Sequence, residues 1–78
     1  VTVRLNAGLR RYRPALGIGE ALPLHVPEGT NLKELLSRIL QISPDEVALP
    51  MVNGIKCSLD EPLAAGDRVA FWPPVAGG

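Results

Sequence analysis

Val1, Val3 and Leu5 alternate with Thr2, Arg4 and Asn6, the period-2 pattern of a strand with one buried and one solvated face. A second alternation runs over residues 20–26, where Leu22, Leu24 and Val26 oppose Ala21, Pro23 and His25. Pro23 cannot donate to a ladder, which marks this strand as an edge. Between the two lies Ala7 to Tyr12, able to form a short helical turn, and then Pro14, Gly17 and Gly19, which predict an irregular loop. The first two strands therefore read as a hairpin with a long connection.

The period changes after Pro27-Glu28-Gly29. Leu32, Leu35, Leu36, Ile39 and Leu40 follow the i, i+3, i+4, i+7, i+8 spacing of one helix face, with Lys33, Glu34, Ser37 and Arg38 left for solvent. Thr30 or Asn31 can cap this helix, and with Asn31 as cap, Glu34 is the capping-box partner. Ser43-Pro44-Asp45-Glu46 reads as a turn or short helical start, with Pro44 at a first helical position. Strand signals return over residues 47–52. Asn53-Gly54 then predicts a tight hairpin turn, because both residues tolerate positive φ, and Ile55-Lys56-Cys57 is its short return strand. After Leu59, Leu63 and the Ala65-Gly66-Asp67 turn, Arg68-Val69-Ala70-Phe71-Trp72 alternates again. If Val69 and Phe71 face the core, Arg68, Ala70 and Trp72 face outward. The order of elements predicts an α+β domain, one sheet covered by one main helix.

Composition narrows what this domain can do. A chain of 78 residues suits one compact domain, and at this size only about 60% of the unfolded surface is buried. That leaves little room for an internal active-site cavity. Lys plus Arg and Asp plus Glu number eight each, so no bulk field favours nucleic acid or acidic membranes, and partners are to be recognised by local shape. The first residues read as a strand, not a targeting signal, and no segment approaches membrane-spanning length. Cys57 is the only cysteine, which rules out an intrachain disulfide or a cysteine-rich zinc site and sets a reducing, cytoplasmic location as the expectation.

Several tempting side chains lack companions. His25 has no second histidine or cysteine pair to share a metal, so no metal site is expected. Cys57 has no neighbouring base in sequence and reads as a buried, inert thiol. Arg10, Arg11 and Arg13 form a small basic cluster, more in keeping with a solvated loop than with a phosphate site.

The last ten residues, Val69-Ala70-Phe71-Trp72-Pro73-Pro74-Val75-Ala76-Gly77-Gly78, resemble the C-terminal signature of the MoaD/ThiS family of ubiquitin-like sulfur carriers. The likeness extends to Val3-Arg4-Leu5, Ala7-Gly8-Leu9-Arg10, Pro27-Glu28-Gly29-Thr30, Val52-Asn53-Gly54 and Pro62-Leu63-Ala64-Ala65-Gly66-Asp67-Arg68-Val69, in the family's order. It implies a ubiquitin-like β-grasp fold, a mixed sheet under one helix, over residues 1–72, with an extended Gly-Gly tail over 73–78. The stretch from Phe71 to Ala76 is more similar to the molybdopterin branch than to the thiamin branch. Trp72 stands where that pattern often has a second aromatic such as Phe, a departure that bears on partner choice.

The resemblance implies that Gly78 is the reactive residue. Its carboxylate would be adenylated and converted to a thiocarboxylate that donates sulfur in molybdenum or tungsten cofactor biosynthesis, with thiamin thiazole synthesis or ubiquitin-like protein modification as alternatives. A free carboxylate is a poor acylating group and needs activation. The sequence holds no P-loop and no evident Mg²⁺ site, so no bound cofactor is expected, and ATP would be used by a separate E1-like adenylating enzyme. The implied partners are that enzyme, a MoaE-like large subunit of a molybdopterin-synthase-type enzyme, and a sulfur donor such as a persulfide protein. Glycine at positions 77 and 78 lets a tail enter a narrow channel and leaves its carbonyl open to attack. Pro73 and Pro74 favour an extended, partly rigid stem, and Trp72, Pro73, Pro74, Val75, Ala76 and Gly77 are the expected partner contacts.

Overall fold

The computed structural model of the chain describes residues 1–74. Five strands form one mixed sheet: β1 (Thr2–Leu5), β2 (Leu22–Pro23), β3 (Leu49–Val52), β4 (Ile55–Lys56) and β5 (Arg68–Trp72). Their spatial order is β2-β1-β5-β3-β4. β1 and β5 run parallel in the middle, with Val3 opposite Val69 and Leu5 opposite Phe71. The other pairs are antiparallel.

One face of the sheet is covered. Val3, Leu5, Val69 and Phe71 point inward from the two central strands and meet Leu32, Leu35, Leu36 and Leu40 of the covering helix, with Leu9, Ile42 and Leu63 closing the sides. The alternation in β1 and β5 and the helical stripe thus meet as predicted, and Phe71 is fully buried. Ile39, at the margin of the stripe, is only partly covered.

The helix begins as read. The Asn31 side chain accepts from the Glu34 N–H at 2.8 Å, and the Glu34 carboxylate accepts from the Asn31 N–H at 3.2 Å. After the short α-helix α1 (Leu32–Glu34) the backbone widens into π-type turns over Leu35–Leu40. It stops at Gln41, which takes the left-handed conformation at φ 58° and ψ 42°. The next residue, Ile42, is buried and donates its N–H to the Leu36 carbonyl at 2.8 Å. This bond closes the helix over a left-handed residue, the position that usually carries glycine, and is one residue wider than the common helix-ending bond because the preceding turns are π-type.

Three connections position the ends of the sheet. Ala7–Tyr12 forms a 3₁₀ helix directly after β1 and buries Leu9. Pro44–Glu46 forms another, capped by the Ser43 hydroxyl. Asn53 and Gly54 both have positive φ, 53° and 81°, and make the expected two-residue hairpin between β3 and β4.

The second strand is shorter than its pattern predicts. Only Leu22 and Pro23 pair with β1, and Leu24 adds bonds to Val1 in both directions, at 2.8 and 2.9 Å. Leu24 and Val26 still pack against the core. Alternation within a segment does not fix how far it stays alongside its neighbour: β1 continues to Leu5, yet Glu20 and Ala21 stay outside the ladder. Pro23 lies on the edge, as its missing donor requires.

Candidate functional site

The chain after β5 leaves from a bracketed point. The Phe71 carbonyl accepts two bonds from Asn6, from its backbone N–H and from Nδ2, each at 3.1 Å. One residue on, the Trp72 carbonyl accepts from the Ala48 N–H at 2.9 Å. The last two carbonyls of β5 are therefore held from opposite sides, by the end of β1 and by the approach to β3. Pro73 is half-buried and Pro74 exposed. The sequence-predicted site residues Val75, Ala76, Gly77 and Gly78 lie outside the described residues.

Beside this root is the sheet face that the helix leaves uncovered. The register places Arg4, Ala70 and Met51 in one row across three strands, Thr2 with Arg68 on one side of it and Trp72 with Leu49 on the other. Trp72 is half-buried on this face, next to the root, where the alternation predicts it. Arg4, Met51, Arg68, Ala70 and Trp72 border a shallow depression of about 250 Å³. Its floor is apolar, and its margin carries Arg4 and Arg68, neither of which is ion-paired among the described residues. Arg4 is steadied instead by donating Nε–H to the Gly19 carbonyl at 3.0 Å. A larger depression of about 660 Å³, bordered by Val1, Leu24, Val26 and Leu63, lies at the opposite end of the sheet from the root.

The three arginines next to the root do not converge on a common point. Arg11 pairs with Glu46 at 2.9 Å, donates to the Gly8 carbonyl at 2.9 Å and lies over the Tyr12 ring. The Glu46 carboxylate raises its already high pKa, with Tyr12 adding to the effect. Arg13 donates to the Tyr12 and Leu40 carbonyls at 2.7 and 3.1 Å. Both guanidinium groups are used to tie the 3₁₀ helix to its surroundings. Arg10 remains, with Nε buried and unpartnered.

Cys57, expected to be buried, is half-buried. It follows the edge strand β4, which ends at Lys56 and not at Cys57 as the pattern predicts, and its Sγ lies 3.9 Å from the Pro50 carbonyl. Burial raises the thiol pKa, and the negative charge of Glu61 adds to this, leaving little of the reactive thiolate at neutral pH. His25 is exposed on the β2 side. Among the described residues no group of three His, Cys, Asp or Glu side chains could hold a metal, and no helix is long and apolar enough to cross a membrane.

Sequence reasoning missed Asn6, Ala48, Arg4, Leu49 and Met51 as site residues. Each owes its place to a pairing between strands distant in sequence, and the alternation inside one strand says nothing about its neighbour. A short, open sheet carrying one helix, with the last strand in its centre, defines a ubiquitin-like β-grasp. The crystal structure of SAMP1 from Haloferax volcanii has the same fold, with a TM-score of 0.72 at 23% identity over 99% of this chain and 97% of that one.

The model of the ThiS family matches residues 3–78, and the chain belongs to this family of ubiquitin-like sulfur carriers. It is also similar to the molybdopterin synthase sulfur carrier subunit of Escherichia coli (strain K12), 53% identical over 34 residues. That stretch is 44% of this chain and spans 42% of the length of the curated relative.

Proposed function

We propose that the chain carries sulfur at Gly78 for the synthesis of a molybdopterin-type cofactor. The observation that carries this reading is the Phe71-Trp72-Pro73-Pro74 stem: it ends the central strand, its root is fixed, and it adjoins the one open face of the sheet. The molybdopterin reading is supported by the printed name of the Escherichia coli relative and by the likeness of the stretch from Phe71 to Ala76 to that branch.

The chemistry follows from what a carboxylate lacks. A Gly78 oxygen attacks the α-phosphorus of ATP, an O–P bond forms, and pyrophosphate leaves. The terminal sulfur of a donor persulfide then attacks the acyl-adenylate carbonyl and AMP departs, leaving an acyl disulfide. A second thiol breaks the S–S bond, forming a disulfide with the donor sulfur and releasing the Gly78 thiocarboxylate. The E1-like adenylating enzyme supplies the ATP site, and the carrier supplies the docking face and the reactive end. The thiocarboxylate is then delivered into a MoaE-like large subunit. This exchange would take place in the cytoplasm.

Mass spectrometry of the intact chain after incubation with the cognate adenylating enzyme, ATP and a persulfide donor tests the reading. Replacement of one oxygen by sulfur at Gly78 is expected. Adducts on protein lysines would instead make the chain a modifier, and no ATP-dependent change would remove both readings. Sulfur passed to a thiazole precursor and not to a pterin would assign the carrier to thiamin synthesis.

A further inference from the structure

Asn6 does more at the tail root than the sheet requires. Its backbone N–H, in line with the β1–β5 ladder, already satisfies the Phe71 carbonyl at 3.1 Å, and its side chain adds a second bond to the same oxygen, also at 3.1 Å. A carbonyl oxygen has two lone pairs, so this pair of donors saturates it. The peptide plane between Phe71 and Trp72 is thereby gripped at two points. Ala48 holds the next carbonyl at 2.9 Å. Beyond it, Pro73 and Pro74 have fixed φ and no N–H, and the residue before each proline is kept extended. From Phe71 to Pro74 the backbone has few remaining torsions, and their starting direction is set at the doubly held carbonyl.

The backbone around Asn6 is arranged for this grip. Ala7, the next residue, has φ 52°, a left-handed conformation uncommon for alanine. There the chain breaks away from the ladder into the 3₁₀ helix Ala7–Tyr12, leaving Asn6 as the last residue of that segment beside β5. A residue one step earlier would be Leu5, which is committed to the core.

We infer that Asn6 is a positioning residue for the reactive tail: its side-chain amide fixes the direction in which the Pro73-Pro74 stem leaves the sheet, so that Gly78 is delivered when the open face docks. This rests on the reading of Gly78 as the activated end. A tail aimed before docking threads with less loss of conformational freedom than one that must search. Losing the grip should therefore lower the fraction of docked complexes with a threaded tail, without weakening docking itself.

The test is steady-state adenylation, measured as ATP–pyrophosphate exchange by the cognate adenylating enzyme with the carrier as varied substrate. Asn6→Ala is expected to lower kcat about fivefold or more, with KM for the carrier within about twofold of wild type. Asn6→Asp, isosteric but presenting oxygen to the Phe71 carbonyl, should lose at least as much. By NMR, the Trp72 amide nitrogen, bonded to that carbonyl carbon, should shift in both variants while the amides of Val3 and Val69 hold their positions. Wild-type kcat in either variant, or a loss confined to KM, would overturn the proposal. Unfolding of both variants would do so too, by making Asn6 a plain structural residue. Absence of exchange with the wild-type chain removes the sulfur-carrier reading and this inference with it, whereas a working wild type with an unaltered Asn6→Ala removes the inference alone.

Discussion

Asn53 and Asp67 join two turns at the end of the sheet away from the tail root: the Asn53 Nδ2 donates to the Asp67 carboxylate at 3.0 Å. The same asparagine accepts from the Arg68 N–H at 3.0 Å, and the second Asp67 oxygen accepts from the Ala64 N–H at 2.8 Å. One carboxylate therefore supports the β3–β4 hairpin and the entry to β5. Asp67→Ala should cost about 1–2 kcal/mol, since it removes two hydrogen bonds to a charged acceptor at a partly solvated site. Urea denaturation measures it, and a loss below about 0.3 kcal/mol would show that water replaces both bonds. Adenylation kinetics well below the melting temperature should be unchanged.

Gln41 ends the covering helix in a left-handed conformation that costs a side-chain-bearing residue roughly 1 kcal/mol. Gln41→Gly relieves the strain, partly offset by the greater freedom of glycine in the unfolded chain. A net gain of about 0.5 kcal/mol is expected, seen as a rise of a few degrees in Tm. A fall in Tm would mean that Gln41 makes a contact worth more than its strain.

Much of this architecture could be read from local signals. The leucine stripe, the Asn31–Glu34 capping box and the Asn53-Gly54 turn each depend on residues a few positions apart, and each appears as read. The inward placement of Val69 and Phe71 likewise needs only the alternation within one strand. Signals that depend on distant pairing were not legible. Residues 20–26 alternate along their whole length, yet only Leu22 and Pro23 join the ladder, and alternation within one segment carries no information on how far it stays beside its neighbour. The pair of hydrogen bonds from Asn6 to the Phe71 carbonyl spans 65 positions, and nothing about an asparagine after Leu5 points to it. The π-type widening over Leu35–Leu40 keeps the leucines inward, so the apolar stripe does not disclose it.

Met51 lies on the open face opposite Ala70 and one row from Trp72. Met51→Glu places a carboxylate on the apolar floor and is expected to weaken docking on the adenylating enzyme by about tenfold or more. Stability should change by no more than about 0.5 kcal/mol, because the side chain points away from the core. Calorimetric titration and thermal melting together check this; unaltered affinity would move the docking surface elsewhere.

Removing Gly78, or extending the chain beyond it, should abolish thiocarboxylate formation and leave Tm within about 2 °C of the parent, because the core of the described residues closes at Phe71 and a glycine brings no side chain to it. Intact-mass measurement reads the chemistry and a thermal melt reads the fold. Sulfur incorporation into the deleted chain would contradict the assignment of Gly78.

Burial and the charge of Glu61 raise the Cys57 thiol pKa above its ordinary value. Thiolate is the reacting species, so alkylation of the folded chain by iodoacetamide at pH 8 should be slower than that of a short cysteine peptide. Its pH–rate profile should lie at higher pH, and urea should abolish the difference. The sign for stability follows: the folded state favours the protonated thiol, so stability is whole below the ordinary thiol range and declines as pH rises through the elevated value. Alkylation as fast as the peptide's would show the thiol to be open to solvent.

The parallel pairing of β1 with β5 bears on how the protein is made. β1 is made well before β5 and waits for it, unpaired on its inner side, because β5 separates it from β3 in the finished sheet. A nascent chain halted before Arg68 lacks the central strand and leaves the helix leucines without Val69 and Phe71, an aggregation-prone intermediate open to chaperones and proteases. Folding competence is therefore gained only with the strand that leads directly into the Pro73-Pro74 stem.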